Sequence, residues 1–420
     1  MHNLIHRRNT CRGCDGTDLE MVLSLKPSPI GDEYVTAEKI EVNQPSYPID
    51  LYMCKSCGLA QLIDVIDSSI LYGEYIYVTS SSTDLSVHFR NYADSVINRC
   101  KLKNGSLVVD LGSNDGTLLR YFQQKGMCVL GIEPAVHIAA KATSSGIQTI
   151  DAFFTPVLAK KIVANYGHAK LITANNVFAN IDDLMSWAIA VNELLDVEGI
   201  FVFESYYLAD LVHNMVFDFI YHEHLSSFSV KPIKALFERI GLELIAVERI
   251  ATKGGSLRYF VQRPDDGPLK KDGSVAEMLL LEESKGLYRK ETFMVFSDKI
   301  NKLKVQMKNI LAKAKGEGKS IAGFGASITG TTLIHHFEIG EYLDYLIDDN
   351  LAKQGRFSPG LHLPVYSSSA LYERKPDYVV VLAWRFSEII ISKNMAYIES
   401  GGQFIIPVPQ IKVVGESVLS

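Results

Sequence analysis

No stretch of this 420-residue chain is apolar for the ~18 residues a membrane span needs. The opening residues, Met1-His2-Asn3-Leu4-Ile5-His6-Arg7-Arg8, also lack the apolar core of a signal peptide. A cytoplasmic protein without a membrane partner is expected. Positive charge is scarce as well: 42 Lys and Arg against 48 Asp and Glu leave a net charge of -6. That balance argues against nucleic acid or an acidic membrane as partner, so a phosphorylated ligand must meet a local cluster of basic groups. Repeats and low-complexity tracts are missing, and no long heptad pattern marks a coiled-coil dimer, which leaves oligomeric state unread. What is present, 47% hydrophobic and 21% charged residues, is ordinary for a globular protein. The length exceeds what one core keeps growing to fill, so two or three domains are expected.

Cysteine is rare but patterned. Cys11-Arg12-Gly13-Cys14 and Cys54-Lys55-Ser56-Cys57 are two CxxC pairs, whereas Cys100 and Cys128 stand alone in apolar-rich surroundings and read as small buried residues. Two such knuckles without a secretion signal point to tetrahedral zinc held by Cys11, Cys14, Cys54 and Cys57. Four thiolates close the coordination shell, so the ion folds a small domain and takes no part in chemistry. The segment between the knuckles carries Pro27, Pro29, Pro45 and Pro48 and reads as a loop-rich excursion.

The densest signal is Leu107-Val108-Val109-Asp110-Leu111-Gly112-Ser113-Asn114-Asp115-Gly116, an apolar strand entering a glycine-punctuated turn, followed by a helical pattern from Thr117 to Gln124. Glycines let backbone approach a ligand, and the unpaired amides of the helix start face it. Asp110 and Asp115 flank the turn. Two carboxylates there would repel the pyrophosphate of NAD or FAD and suit a sulfonium cation, so S-adenosylmethionine is the expected cofactor. A second strand, Cys128 to Ile132, ends at Glu133, about twenty residues on, where an acid takes the ribose hydroxyls of an adenosine. Asn114 follows where glycine is common, and Asn tolerates a left-handed backbone.

Alternating elements continue along the chain. A helix is expected near Val87 to Leu102, strands at Lys170 to Ala174 and Gly199 to Phe203, and a helix from Asp182 to Leu195. After Lys231 come a helix to Ile240 and a hairpin of strands Leu242 to Ile250 and Ser256 to Gln262 about Gly254-Gly255. Such alternation predicts an α/β fold, a parallel sheet covered by helices, and the closing hairpin distinguishes a methyltransferase sheet from a plain dinucleotide fold. Charged, helix-favouring sequence from about Asp272 to Lys315 is read as a separator. Beyond it Ser320 to Ala326 is again a strand entering a glycine turn, and strands at Tyr345 to Ile347, Tyr378 to Ala383 and Phe404 to Pro407 complete a second Rossmann-like unit, although Gly323-x-Gly325 with Gly330 misses the dinucleotide fingerprint. The expected architecture is a Rossmann-like class I methyltransferase domain (73–265) between a small zinc-binding domain (1–72) and a second Rossmann-like domain (266–420).

Tyr221-His222-Glu223-His224 gathers proton-handling groups as nowhere else, in a loop at the expected ligand edge. Methylating carbon requires a carbanion, which near neutral pH means an enolate beside a carbonyl. Histidine suits the base, Glu223 could orient it, and the Tyr221 hydroxyl could donate to the enolate oxygen. A metal at His222 and His224 is disfavoured because HExxH spacing is absent. His335-His336 reads as packing or surface. O- or N-methyl transfer and a non-catalytic binding protein remain open on the residues alone.

The chain resembles the sugar C-methyltransferases of deoxysugar biosynthesis. The likeness rests on the paired CxxC knuckles, Tyr75-x-Tyr77, Gly112-Ser113-Asn114-Asp115-Gly116, Glu133-Pro134, Ala174-Asn175-Asn176-Val177, Tyr221-His222-Glu223-His224, Gly254-Gly255-Ser256-Leu257-Arg258, Gly330-Thr331-Thr332-Leu333, and Asp348-Asp349-Asn350 with Lys353 to Phe357. It implies methylation of carbon 3 of a nucleotide-linked 4-keto-deoxysugar, with His224 as base. Asp110, Gly112, Asn114, Gly116, Glu133, Pro134, Asn175 and Asn176 are then expected at the cofactor. Tyr75, Tyr77, Asn180, His222, Lys353 and Arg356 are expected at the sugar nucleotide, the last two as diphosphate partners. Two departures stand out: Asn180 replaces a histidine of the family, and Ser327-Ile328-Thr329 replaces a stretch ending in lysine.

Overall fold

Leu107-Val108-Val109, Leu171-Ile172 and Ile200-Phe201-Val202-Phe203 are apolar without alternation, the mark of strands covered on both faces. In the computed structural model, which describes residues 5–72, 79–81 and 83–415, they form the middle of a seven-stranded sheet. Its order is Glu243–Ile250, Ser256–Gln262, Leu195–Tyr206, Ala169–Asn175, Leu107–Leu111, Cys128–Ile132, Thr149–Ile150. Neighbours are parallel except Ser256–Gln262, which is antiparallel to both of its own, as the hairpin predicts. Helices Thr117–Gln124, Val136–Ser144, Pro156–Tyr166 and Leu184–Leu194 cover the sheet. Phe178, Trp187, Phe201, Phe203 and Phe237 fill one face, and Phe203 stacks on Tyr259 at 4.5 Å.

The second sheet runs Val365–Tyr366, Tyr345–Ile347, Ile321–Phe324, Tyr378–Val381, Gln403–Ile406, Lys412–Val414, with only the last strand antiparallel. This is the doubly wound order, in which ligands lie at the carboxyl ends where the winding reverses. That point falls at Gly325 and Ala326 on one side and Ala383 to Arg385 on the other.

A third sheet, antiparallel, joins Leu19–Leu23, Leu51–Cys54 and Ala60–Leu62 to Ser226–Ser227, a strand borrowed from the loop that follows His224. The excursion between the knuckles leans on the second doubly wound unit. Val35 and Phe357 exchange backbone hydrogen bonds of 3.0 and 2.9 Å, and Thr331 Oγ1 donates to the Gly31 carbonyl at 2.9 Å.

Several expectations shift. The helix before the first strand is Thr83–Cys100, longer at its start than the apolar spacing indicates. Cys128 is exposed, because it opens its strand at the solvent end, whereas Cys100 is buried. The segment read as a separator is two helices, Ser274–Ser284 and Lys290–Gly316, that pack back onto the rest. Phe293, Phe296, Ile300, Leu303, Met307 and Leu311 recur at helical spacing and give the longer one a buried face. Glu282 anchors the shorter: its carboxylate is fully buried, accepts from Tyr207 OH (2.9 Å) and Val230 N (2.6 Å), and also takes the Tyr288 hydroxyl. No helix among the described residues is long and apolar enough to cross a membrane.

Candidate active site

The two knuckles fold alike. Asp15 N donates to Cys11 O and Gly58 N to Cys54 O, each closing a turn through a residue of positive φ. The four Sγ atoms lie within 4.8 Å of one another, with Cys11 to Cys57 and Cys14 to Cys54 both at 3.5 Å. A tetrahedral zinc with bonds of about 2.3 Å needs sulfur edges of about 3.8 Å, so the cage fits the ion and offers it four soft ligands. Among the described residues it is the one such cluster. Arg12, between the first two ligands, is buried and donates to Asp182 Oδ1 (2.9 Å), Gln61 Oε1 (3.2 Å), Leu225 O (3.3 Å) and Leu62 O. The metal lobe therefore grips the backbone one residue past His224.

At the first strand's end, Gly112, Asn114 and Gly116 have φ of +72°, +49° and +75°. Asn114 thus takes the left-handed conformation expected of it. A Cβ at Gly112 would come within 2.3 Å of Val177 Cγ2, so no larger residue fits the turn. Glu133 ties the turn to the next strand: its two carboxylate oxygens accept from Asn114 N and Ala135 N, both at 2.9 Å. Asp110 accepts from Thr173 Oγ1 at 2.6 Å, and burial pushes its carboxyl up to about 7. A cation alongside would hold it ionised. Asp115 is engaged by its own neighbours. It accepts from Thr117 N and Oγ1 (3.2 and 2.6 Å) and Ser80 N (3.1 Å), capping its own helix, and these bonds keep its pKa low against burial. The acidic character therefore comes from Asp110 and Glu133. No Lys or Arg side chain among the described residues hydrogen-bonds this turn. Asn175 spends its oxygen on Glu204 N (3.1 Å), and its buried Nδ2 has no partner among the described residues. Positive-φ backbone, two acids and an orphaned amide fit S-adenosylmethionine. Asn176, at φ +59°, donates its backbone N–H to Glu204 O, and Asn180, on the short helix Phe178–Asn180, has a buried Oδ1 without a partner there.

His224 is buried, with Tyr206 stacked on it at 4.7 Å and Phe219 tilted at 5.7 Å. Its Nδ1 lies 2.7 Å from Phe219 O, an acceptor only, so that nitrogen carries the proton. Nε2 then has the lone pair and accepts from Tyr221 OH at 2.8 Å. Burial, with the positive field of Lys253, pushes the imidazole down to about 3, so it is neutral at physiological pH. The residue that orients the imidazole is thus Phe219 through its carbonyl, not Glu223. Glu223 is buried nearby, and desolvation lifts its carboxyl to about 8, so it is largely protonated near neutrality.

Other expectations change. His222 is buried, its Nε2 donates to Tyr47 O at 3.2 Å, and it ties the loop to the excursion. Lys353 is paired with Asp32 Oδ1 at 2.6 Å and Ala326 O at 2.7 Å and lies over the Tyr34 ring, so it clamps two lobes. Arg356 donates to Tyr34 O at 3.2 Å and keeps only part of its fork for other partners. Pro134 follows Glu133 at the strand end, while Tyr75 and Tyr77 lie outside the described residues. His336 is packing, as expected: its Nδ1 accepts from Lys26 N at 3.0 Å. Sequence reasoning missed Lys253 and Arg385. Lys253 stands before the hairpin's two glycines, at the carboxyl edge, and Arg385 follows the strand Tyr378–Val381 at the winding reversal. Position at those edges was the available signal.

Three family models cover most of the chain: a zinc binding domain over residues 11–72, a methyltransferase domain over 87–247, and a C-methyltransferase C-terminal domain over 251–409. The C-methyltransferase NovU of Streptomyces niveus is 33% identical over 415 residues, 99% of each chain. Solved structures overlap on less. Magnesium protoporphyrin IX methyltransferase of Synechocystis PCC 6803 covers 47% of this chain and 89% of its own at 14% identity, TM-score 0.33. An S-adenosylmethionine-dependent methyltransferase of Clostridium acetobutylicum covers 47% and 95% at 11% identity, TM-score 0.32. At that overlap neither adds to the assignment, which rests on the full-length relative and the three family models. The chain belongs to the S-adenosylmethionine-dependent C-methyltransferases that carry an N-terminal four-cysteine zinc-binding domain.

Proposed function

We propose that the enzyme methylates carbon 3 of a nucleotide-linked 4-keto-deoxysugar through an enolate, in the cytoplasm, where reducing conditions keep four thiolates available for zinc. The observation that carries this reading is the fixed tautomer of His224: Nδ1–H is committed to Phe219 O, which leaves the Nε2 lone pair as a base inside an aromatic enclosure. Transfer to oxygen or nitrogen starts from a lone pair and can act with weak base assistance, whereas transfer to a carbon beside a carbonyl needs its proton removed before that carbon can attack. The name of the Streptomyces niveus relative, a C-methyltransferase, supports the same choice.

Glu133 would take the adenosine ribose, and Asp110, Asn175 and the 112–116 turn the rest of the cofactor, with Pro134 and Asn176 at the rim. Bound S-adenosylmethionine supplies an electrophilic methyl group on a sulfonium that departs as a neutral thioether. The protein's part is the proton. The Tyr221 hydroxyl turns from Nε2 toward the sugar, His224 accepts the hydrogen from carbon 3, and the electron pair moves into the enolate. Asn180, with its unpartnered oxygen, and Arg356 line the acceptor side. Labelled S-adenosylmethionine with dTDP-, GDP- and CDP-linked 4-keto sugars, followed by mass spectrometry, should place the label on carbon. Label on oxygen or nitrogen, or none on any of the three, refutes the reading.

A further inference from the structure

An enolate oxygen is stabilised by hydrogen-bond donors and most strongly by a charged one, and the resting loop of Tyr221 to His224 carries no positive charge, since His224 and Glu223 are neutral before the proton moves. Among the described residues two cations reach the same enclosure: Arg385, which lies over Phe219 at 4.4 Å but is held by Asp218, and Lys253. Lys253 sits on the hairpin turn between Glu243–Ile250 and Ser256–Gln262, and lines a small recess with Tyr206, Phe219, Val216 and Leu211. Tyr206 and Phe219 are the rings that pack on His224. The turn is built to present the side chain. Lys253 has φ +57° and ψ +24°, a left-handed conformation that is strained for a residue with a Cβ. The two glycines after it are required, because a Cβ on Gly255 would lie 2.4 Å from Asp210 Cβ. Asp210 itself is paired with Arg249. Strain held at a cleft by a rigid surround is a mark of function.

Resting on the enolate reading, we propose that the Lys253 ammonium, presented into the His224 recess by this left-handed turn, donates to the sugar oxygen on which negative charge develops. The step balances: the C–H bond at carbon 3 breaks, its proton goes to His224 Nε2, its electron pair forms the C=C bond, and the carbonyl π pair moves to the oxygen facing Lys253. The ammonium keeps its protons. Glu204, Glu223, Arg385 and His224 are the charged or titratable groups around it; the residue keeps an exposed face, and on its inner side desolvation outweighs the two carboxylates and lowers the ammonium to about 8.

The test uses the full-length protein, S-adenosylhomocysteine and dTDP-4-keto-6-deoxyglucose in deuterated water, following exchange at carbon 3 by NMR. Wild type should exchange, His224→Gln should not, and Lys253→Met should be slowed about 10²–10³-fold with cofactor affinity unchanged by calorimetry. Lys253→Arg, which keeps the charge, should recover at least a tenth of the rate and move the alkaline fall in exchange from about pH 8 to above about pH 10. Wild-type exchange with Lys253→Met equally fast, or an unmoved alkaline fall in Lys253→Arg, overturns the role of Lys253 and leaves the enolate standing. Absence of exchange in wild type overturns both.

Discussion

Asp218 joins the loop of Tyr221 to His224 to the second doubly wound unit, and its energetics can be worked from contacts. The carboxylate is fully buried and accepts from Arg385 Nη1 at 2.9 Å to each oxygen and from Trp384 Nε1 at 3.0 Å. Burial raises its pKa against the opposing pull of Arg385 and Trp384. Arg385→Met would leave that charge with the indole alone. Breaking one partner of a buried pair costs about 3–5 kcal/mol. Coulomb's law at an effective dielectric of about 20 and a charge separation of about 3.5 Å gives about 5 kcal/mol, of the same order. Asp218→Asn in the Arg385→Met background removes the stranded charge and keeps an acceptor for Trp384, so the double variant should regain about 1–3 kcal/mol. Urea unfolding read by tryptophan fluorescence suits the measurement, because Trp384 is one of only two tryptophans and sits on the pair. A cost below about 1 kcal/mol for Arg385→Met, or single costs that add in the double variant within about 0.5 kcal/mol, would refute the buried-pair reasoning.

Gly112→Ala combines a left-handed backbone, about 1–2 kcal/mol, with overpacking against Val177, about 1–3 kcal/mol. It should weaken S-adenosylmethionine binding at least tenfold in calorimetry, and an unchanged Kd would show that the turn is slack. Cys14→Ser should abolish stoichiometric zinc in elemental analysis and loosen the Ser226–Ser227 strand in hydrogen exchange, while Cys128→Ser changes neither; zinc retained at one per chain contradicts the four-thiolate cage. The raised pKa of Glu223, about 8 against 4.5 unfolded, adds stability that is complete below pH 4.5 and is lost as pH rises through about 8. Glu223→Gln should flatten the difference between urea midpoints at about pH 5 and about pH 9, and an undiminished slope would place the titration elsewhere.

What was legible in the chain was local. Strand, turn and helix at 107–124, the acid at Glu133, the hairpin about Gly254-Gly255 and the two CxxC knuckles all follow from periodicity, glycine placement and spacing, each contained within a few residues. Directions of side chains were not. Asp115 and Asp110 are equivalent on paper, yet one accepts from the amides of Thr117 and Ser80 and the other meets the Thr173 hydroxyl, because side chains of neighbouring positions leave the turn in different directions. Lys353 read as a free cation until Asp32, 321 residues away, met it.

The order of residues therefore determined the folds, the cofactor class and the metal ligands, since strand pattern, acid spacing and thiol pairs each act over short range. The tertiary structure alone decided which nitrogen of His224 keeps its lone pair, which cations lie near its enclosure and which are spent on bridging lobes. Those depend on a Phe219 carbonyl, a left-handed lysine and contacts between distant segments, none of which leaves a periodic trace in sequence.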